Sequence, residues 1–164
     1  MDKIYAQFNL ESFKKAAIGA LLFGDIAIFA YIYVKFSNKE NFENIMSVVL
    51  KSMPETGGQL PSDFSAQLYT LMMNSLLTMI VLVMIYHIFV YYLWSKKNKG
   101  LSRGYVTVYA WTAGPLCALS GLIELPKNPL NGLLFLAIGA AYLFVAIGLS
   151  QFQESRPSRK KVGL

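Results

Sequence analysis

Residues 16–34 read AAIGALLFGDIAIFAYIYV, an apolar run interrupted by one charge, Asp25. At about 1.5 Å rise per residue a helix of this length spans roughly 28 Å, close to the hydrocarbon thickness of a bilayer. Lys14 and Lys15 precede the run and Lys35 follows it, marking its ends. Asp2, Glu11 and Asp25, together with the length of the run, argue against a cleaved signal peptide, so the segment is expected to persist as a first membrane span.

Three more runs of this kind follow, over about 66–94, 105–123 and 130–152. The first comes after Pro61-Ser62-Asp63, where Ser62 or Asp63 can cap a helix, and it is long enough to tilt or protrude. Gly100 and Gly104 mark the next turn, and Pro126 and Pro129 the one after it. The expected fold is all-α, a four-span transmembrane helical bundle forming a single membrane domain over residues 1–164. Composition agrees: 55% of the residues are hydrophobic, 15% are charged and the mean hydropathy is +0.44, too little polar material to coat a soluble globule.

Between the first two spans, Ser37 and Glu40 have the spacing of a capping box, and Phe42, Ile45, Met46, Val49, Leu50 and Met53 recur at helical spacing until Pro54. This predicts an amphipathic helix over about 38–53 in the outer loop. It either lies in the outer interface or folds over the bundle to bury its stripe, or else it is a docking surface for another membrane protein or a lid over the bundle mouth with Gly57-Gly58 as its hinge. In the second case Phe42, Ile45, Met46, Val49 and Met53 are the partner-contact candidates.

Charge sets the expected orientation. The loop between spans two and three carries Lys96, Lys97, Lys99 and Arg103 with no acid, and the tail carries Arg156, Arg159, Lys160 and Lys161 beside Glu154. The loop between spans one and two instead sets Lys35, Lys39 and Lys51 against Glu40, Glu43, Glu55 and Asp63. Basic loops stay in the cytosol, so both termini are expected inside. Tyr31, Tyr33 and Tyr69 then fall near the outer boundary, and Tyr91, Tyr92, Trp94, Tyr105 and Tyr109 near the inner one. The absence of an N-x-S/T acceptor fits a bacterial inner membrane. The net charge of +6 is explained by orientation and by attraction to anionic lipid head groups, with no need for nucleic acid.

Asp25 is the most informative residue, because an ionised carboxylate at mid-span costs at least about 2.5 kcal/mol on insertion scales. Proton or ion handling is one use for it; fixing helix packing or binding a partner is the other. His87 lies roughly 10 Å from the inner end of the second span, a depth within one turn of Asp25, so a buried Asp25–His87 pair is feasible. The bland alternative pairs His87 with Tyr91, one turn away. Asn74 and Thr78, extended by Thr70, form a second polar stripe, and Asn74 and His87 lie about 140° apart around the helix, so two contact sides are expected.

Small residues at Ala16, Ala20 and Gly24, and at Ala137 and Ala141, suggest close helix approach. Gly114-Pro115 should kink the third span and free the Trp111 carbonyl, for which Thr112 is a possible donor. Glu124 and Lys127 read as a surface ion pair of little energetic value.

A lone Cys117 excludes an intrachain disulfide, and a lone His87 cannot by itself supply two haem ligands or three zinc ligands. There is no phosphate-binding glycine loop, metal-ligand cluster, serine nucleophile elbow or repeated half. These absences argue against an enzyme, and no catalytic residue, metal or cofactor is assigned. The leading expectation is a non-catalytic membrane subunit or scaffold of a larger assembly, contacting other membrane proteins or copies of itself. The alternatives are a small oligomeric ion or proton conduit using Asp25, and a haem- or quinone-binding electron carrier using His87 with a methionine such as Met84 or with a second subunit's histidine.

Overall fold

A computed structural model describes residues 8–52, 63–97 and 100–154. Among them the chain is all helical, with no strand. The helices are α1 (Leu10–Phe36), α2 (Lys39–Lys51), α3 (Phe64–Lys97), α4 (Gly100–Glu124) and α5 (Pro129–Glu154). The four longer ones are long and apolar enough to cross a membrane, and α2 is not one of them.

Each long helix outruns the apolar span expected for it, because caps rather than hydropathy end a helix. Asn9 starts α1, its Oδ1 accepting from the Ser12 amide at 2.7 Å, and Asn128 starts α5, its Oδ1 accepting from the Asn131 amide at 3.2 Å. Pro129 then takes the first helical position, where its missing N–H is harmless. For α3 the Asp63 carbonyl accepts from the Gln67 amide and the Asp63 carboxylate from the Gln67 side chain; Ser62 lies outside the described residues.

Two expected local contacts are made differently. Ser37 does not cap α2: its hydroxyl turns back to the Val34 carbonyl at 2.9 Å, and Asn38 caps instead, accepting from the Asn41 amide at 3.1 Å. Glu124 and Lys127 form no ion pair; the Lys127 amide donates to the Glu124 carbonyl in the turn between α4 and α5. Met53, Pro54 and the Gly57-Gly58 hinge lie outside the described residues, as does the basic tail.

The chain divides into two compact units, residues 1–27 with 87–164, and residues 28–86. In the first, the interior is drawn from helical stripes. α1 contributes Phe13, Ala17, Leu21, Gly24 and Asp25, and α4 contributes Ser102, Val106, Ala110, Gly114, Cys117 and Gly121. The steps of three and four keep each set on one face. Helix α3 adds His87, Val90, Tyr91 and Trp94.

The small-residue seam joins α4 to α5, and it runs through glycines rather than through Ala137 and Ala141; Ala137 is exposed. A Cβ on Gly139 would lie 2.8 Å from the Ala118 amide nitrogen and 3.0 Å from the Gly114 carbonyl, and one on Gly132 would lie 2.5 Å from Leu125 Cα. On the other helix, a Cβ on Gly121 would meet the Leu136 amide nitrogen at 2.8 Å. The α4 and α5 backbones are therefore in near-direct contact, a separation only glycine permits.

Helix α4 is continuous across Pro115. Thr112 does not serve the Trp111 carbonyl; its hydroxyl donates to Val108 at 2.9 Å and to Tyr109 at 3.0 Å, the backward bonding that short hydroxyl side chains adopt inside helices. Gly114 acts in the seam, where its added Cβ would lie 3.0 Å from Leu143 Cγ.

At one end of this unit the first turns of two helices are tied to the last turns of two others. Lys14 Nζ donates to the Trp94 carbonyl at 3.5 Å, and Arg103 Nη2 donates to the Leu149 carbonyl at 3.3 Å. Cations near helix C-termini are favourably placed against the helix dipole. Phe13 adds ring contacts with Phe144 and Phe152, with centroids 5.8 and 4.8 Å apart.

In residues 28–86 no described side chain is buried. Helix α2 is held to α3 by the edge of Phe42 on Tyr69, at 5.3 Å between centroids, and by Tyr69 Oη donating to the Ser37 carbonyl at 2.8 Å. Ile45, Val48 and Val49 are exposed, and Met46 is partly covered.

Candidate functional site

Asp25 is fully buried, and each of its oxygens makes two hydrogen bonds. Oδ2 takes Tyr91 Oη at 2.7 Å and His87 Nδ1 at 2.8 Å. Oδ1 takes Tyr109 Oη and Tyr142 Oη, each at 2.7 Å. The donors come from α3, α4 and α5, so the carboxylate on α1 joins all four long helices of this unit at one point.

Local sequence explains how five ring side chains converge. His87 and Tyr91 are four apart on α3 and share a face, and Tyr105 and Tyr109 do the same on α4, where their rings stack at 10° and 5.9 Å. Tyr142 reaches the carboxylate because its neighbour on α1 is Gly24, where a Cβ would lie 2.6 Å from the Tyr142 ring. The hydroxyls of Tyr109 and Tyr142 are also 3.2 Å apart, and Tyr105 Oη lies 2.8 Å from His87 Nε2.

A carboxyl group offers about four hydrogen-bonding positions on its two oxygens, and here all four face protein groups. The Tyr91, Tyr109 and Tyr142 hydroxyls donate to it, and one proton lies between His87 Nδ1 and Oδ2. His87 Nε2 shares a second hydrogen bond with the Tyr105 hydroxyl. Among the described residues no buried side-chain nitrogen or oxygen lacks a partner, which is how a low-dielectric interior tolerates such a group.

The structure thus brings Asp25, His87 and Tyr91 together and leaves Asn74 and Thr78 elsewhere. Those two lie exposed on the part of α3 within residues 28–86, where the Thr78 hydroxyl donates to the Asn74 carbonyl at 2.8 Å and that of Thr70 to the Ala66 carbonyl at 2.9 Å. Gly114 and Pro115 also lie outside the cluster. Tyr91, Tyr109 and Trp94, expected near the inner boundary, turn their side chains into the packed interior. Trp94 and Tyr91 are buried, and Tyr109 points its hydroxyl at Asp25.

Sequence reasoning missed Tyr105, Tyr109 and Tyr142 as members of the cluster. The available signal was the repeated four-residue spacing, His87–Tyr91 and Tyr105–Tyr109, together with a glycine directly beside the only intramembrane acid. No protein-family model matches the chain, and neither curated proteins nor solved structures give a match.

Proposed function

We propose that this protein is a non-catalytic integral membrane subunit or scaffold of a larger membrane assembly. The single observation behind this reading is the saturation of Asp25. Four protein groups occupy its hydrogen-bonding positions, so its evident use is to lock four helices together, and no position is left for a travelling ion. Residues 28–86 support the same reading from the other side, since their exposed apolar surface is large and carries Asn74 and Thr78. In this reading the helices form a bundle with N-in and C-in topology in a bacterial inner membrane. The bonds from Lys14 to Trp94 and from Arg103 to Leu149 support it by gathering the basic helix ends at one end. Helix α2 is its amphipathic outer helix, and Val49 and Met46 belong to the surface offered to a partner.

The conduit reading fits less well. The hydrogen-bond path from Tyr105 through His87 to Asp25 ends on the hydroxyls of Tyr91, Tyr109 and Tyr142, each of which is turned onto the carboxyl group itself. The electron-carrier reading needs a free imidazole nitrogen, and both nitrogens of His87 are engaged. Native mass spectrometry of the tagged protein, gently extracted from its own membranes, tests the proposal. A stoichiometric foreign subunit is the expected result; a pure homo-oligomer that carries ion flux abolished by Asp25→Asn, with fold retained, would sink it.

A further inference from the structure

Within residues 28–86, the last turn of α1, the start of α2 and Met72 of α3 enclose a groove of about 520 Å³. That volume falls within the roughly 300–1,000 Å³ of small-molecule sites. Its wall is mostly apolar, formed by Phe36, Phe42, Ile45 and Met72, and its polar elements, Lys35 and three asparagines, include no acid. Among the described residues no carboxylate lies within ion-pair distance of Lys35; its ammonium sits 6.0 Å from the Tyr31 ring centroid. Of the described acids that follow Lys35 in the loop, Glu40 makes no ion pair with it, Glu43 pairs with Lys39, and Asp63 holds Gln67. The groove is held in shape by the bonds that pin α2 to α3 through Tyr69.

We propose that this groove binds one phospholipid with an anionic head group, its acyl chain along Phe36, Ile45 and Met72 and its phosphate on Lys35, with the Asn41 and Asn44 amides at the rim. Charge complementarity selects the occupant: an apolar slot ending in a single cation matches an amphiphile with an apolar tail and an anionic head. Helices of membrane-spanning length on two sides put that amphiphile within reach. The site differs from the basic helix ends carrying Lys14 and Arg103, whose side chains bond to backbone carbonyls. It deepens the assembly reading in one respect, since Phe42 and Ile45 then face lipid, and a protein partner is left with Met46, Val48 and Val49.

The test uses the purified full chain in mild detergent, delipidated and titrated with phosphatidylglycerol or with phosphatidylcholine of the same chains, with adducts read by native mass spectrometry. One saturable phosphatidylglycerol adduct is expected, with weaker phosphatidylcholine binding. Lys35→Gln should weaken phosphatidylglycerol about fivefold, the worth of one lysine near an anionic surface, and leave phosphatidylcholine unchanged. Ile45→Trp, which fills the slot, should remove the adduct for both lipids. Equal binding of the two lipids by the native chain, an adduct indifferent to both variants, or displacement by millimolar inorganic phosphate alone would overturn the proposal. Because the lipid titration needs no partner, its outcome is separable from that of the partner search.

Discussion

Helix α3 carries two different surfaces along its length. From His87 to Trp94 it presents buried residues to a packed interior, whereas from Phe64 to Tyr86 no described side chain is buried although the stretch is just as apolar. The same contrast holds between the two units of the chain. The packed one contains Gly24, Gly114, Gly121 and Gly139, each where an added Cβ would crowd a neighbouring helix, and Gly132, where it would meet the turn at Leu125; the described residues of 28–86 contain no glycine at all. In lipid, apolar side chains gain little by leaving one apolar surface for another, so close backbone approach and matched polar groups decide which helices pack. Apolarity makes a span, and small residues with buried hydrogen bonds make an interior.

The largest way to break this contrast is at Asp25. Asp25→Leu leaves one histidine and three tyrosines without their shared acceptor and is expected to lower stability by about 3–5 kcal/mol. Unfolding in detergent, followed through Trp94 fluorescence, reads this directly; an unchanged midpoint would show that the cluster is not what holds the helices. Removing one donor should cost less. Tyr142→Phe deletes a single bond to a charged group, worth about 1.5–3 kcal/mol, and the same assay should rank it below the Asp25 variant.

Gly24→Ala tests the access of that ring to the carboxylate. Its new Cβ meets the Tyr142 ring, so about 1–3 kcal/mol of overpacking is expected, and combining it with Tyr142→Phe should be clearly non-additive. Full additivity in that double-mutant cycle would mean that the glycine acts elsewhere. The smallest effect belongs to residues 28–86. Val48→Ser changes an exposed side chain and should leave stability within about 0.5 kcal/mol while reducing co-purification of a partner. A large loss of stability there would show that this face is already covered within the fold.

The spans were legible because hydropathy and length are summed over many residues, and single substitutions barely alter them. Asp25 was legible for the opposite reason, as one charge where none is expected. Tyr109 was not, since a tyrosine near a span end satisfies the boundary pattern whether its hydroxyl points outward or inward; nor was Tyr142, a mid-span tyrosine with no polar residue one turn away to pair with, and only the neighbouring helix decides. The Gly132–Gly139 seam was hidden by a seven-residue spacing, while the four-residue spacing of Ala137 and Ala141 drew attention to a face on which Ala137 is exposed and Ala141 only partly covered. The cap at Asn38 was obscured by Ser37, an equally good capping residue one position earlier, whose hydroxyl finds the Val34 carbonyl first.

The donors of Asp25 are also far apart in time. His87 follows it by 62 residues and Tyr142 by 117, so on a ribosome adding about 5–20 residues per second the last hydroxyl emerges roughly 6–23 s after the carboxylate it completes. For that interval the first helix carries an acid whose set of partners is incomplete. Synthesis of α1 and completion of its polar contacts are therefore separate events in the life of each new chain, and among the described helices α5 is the one that closes the cluster.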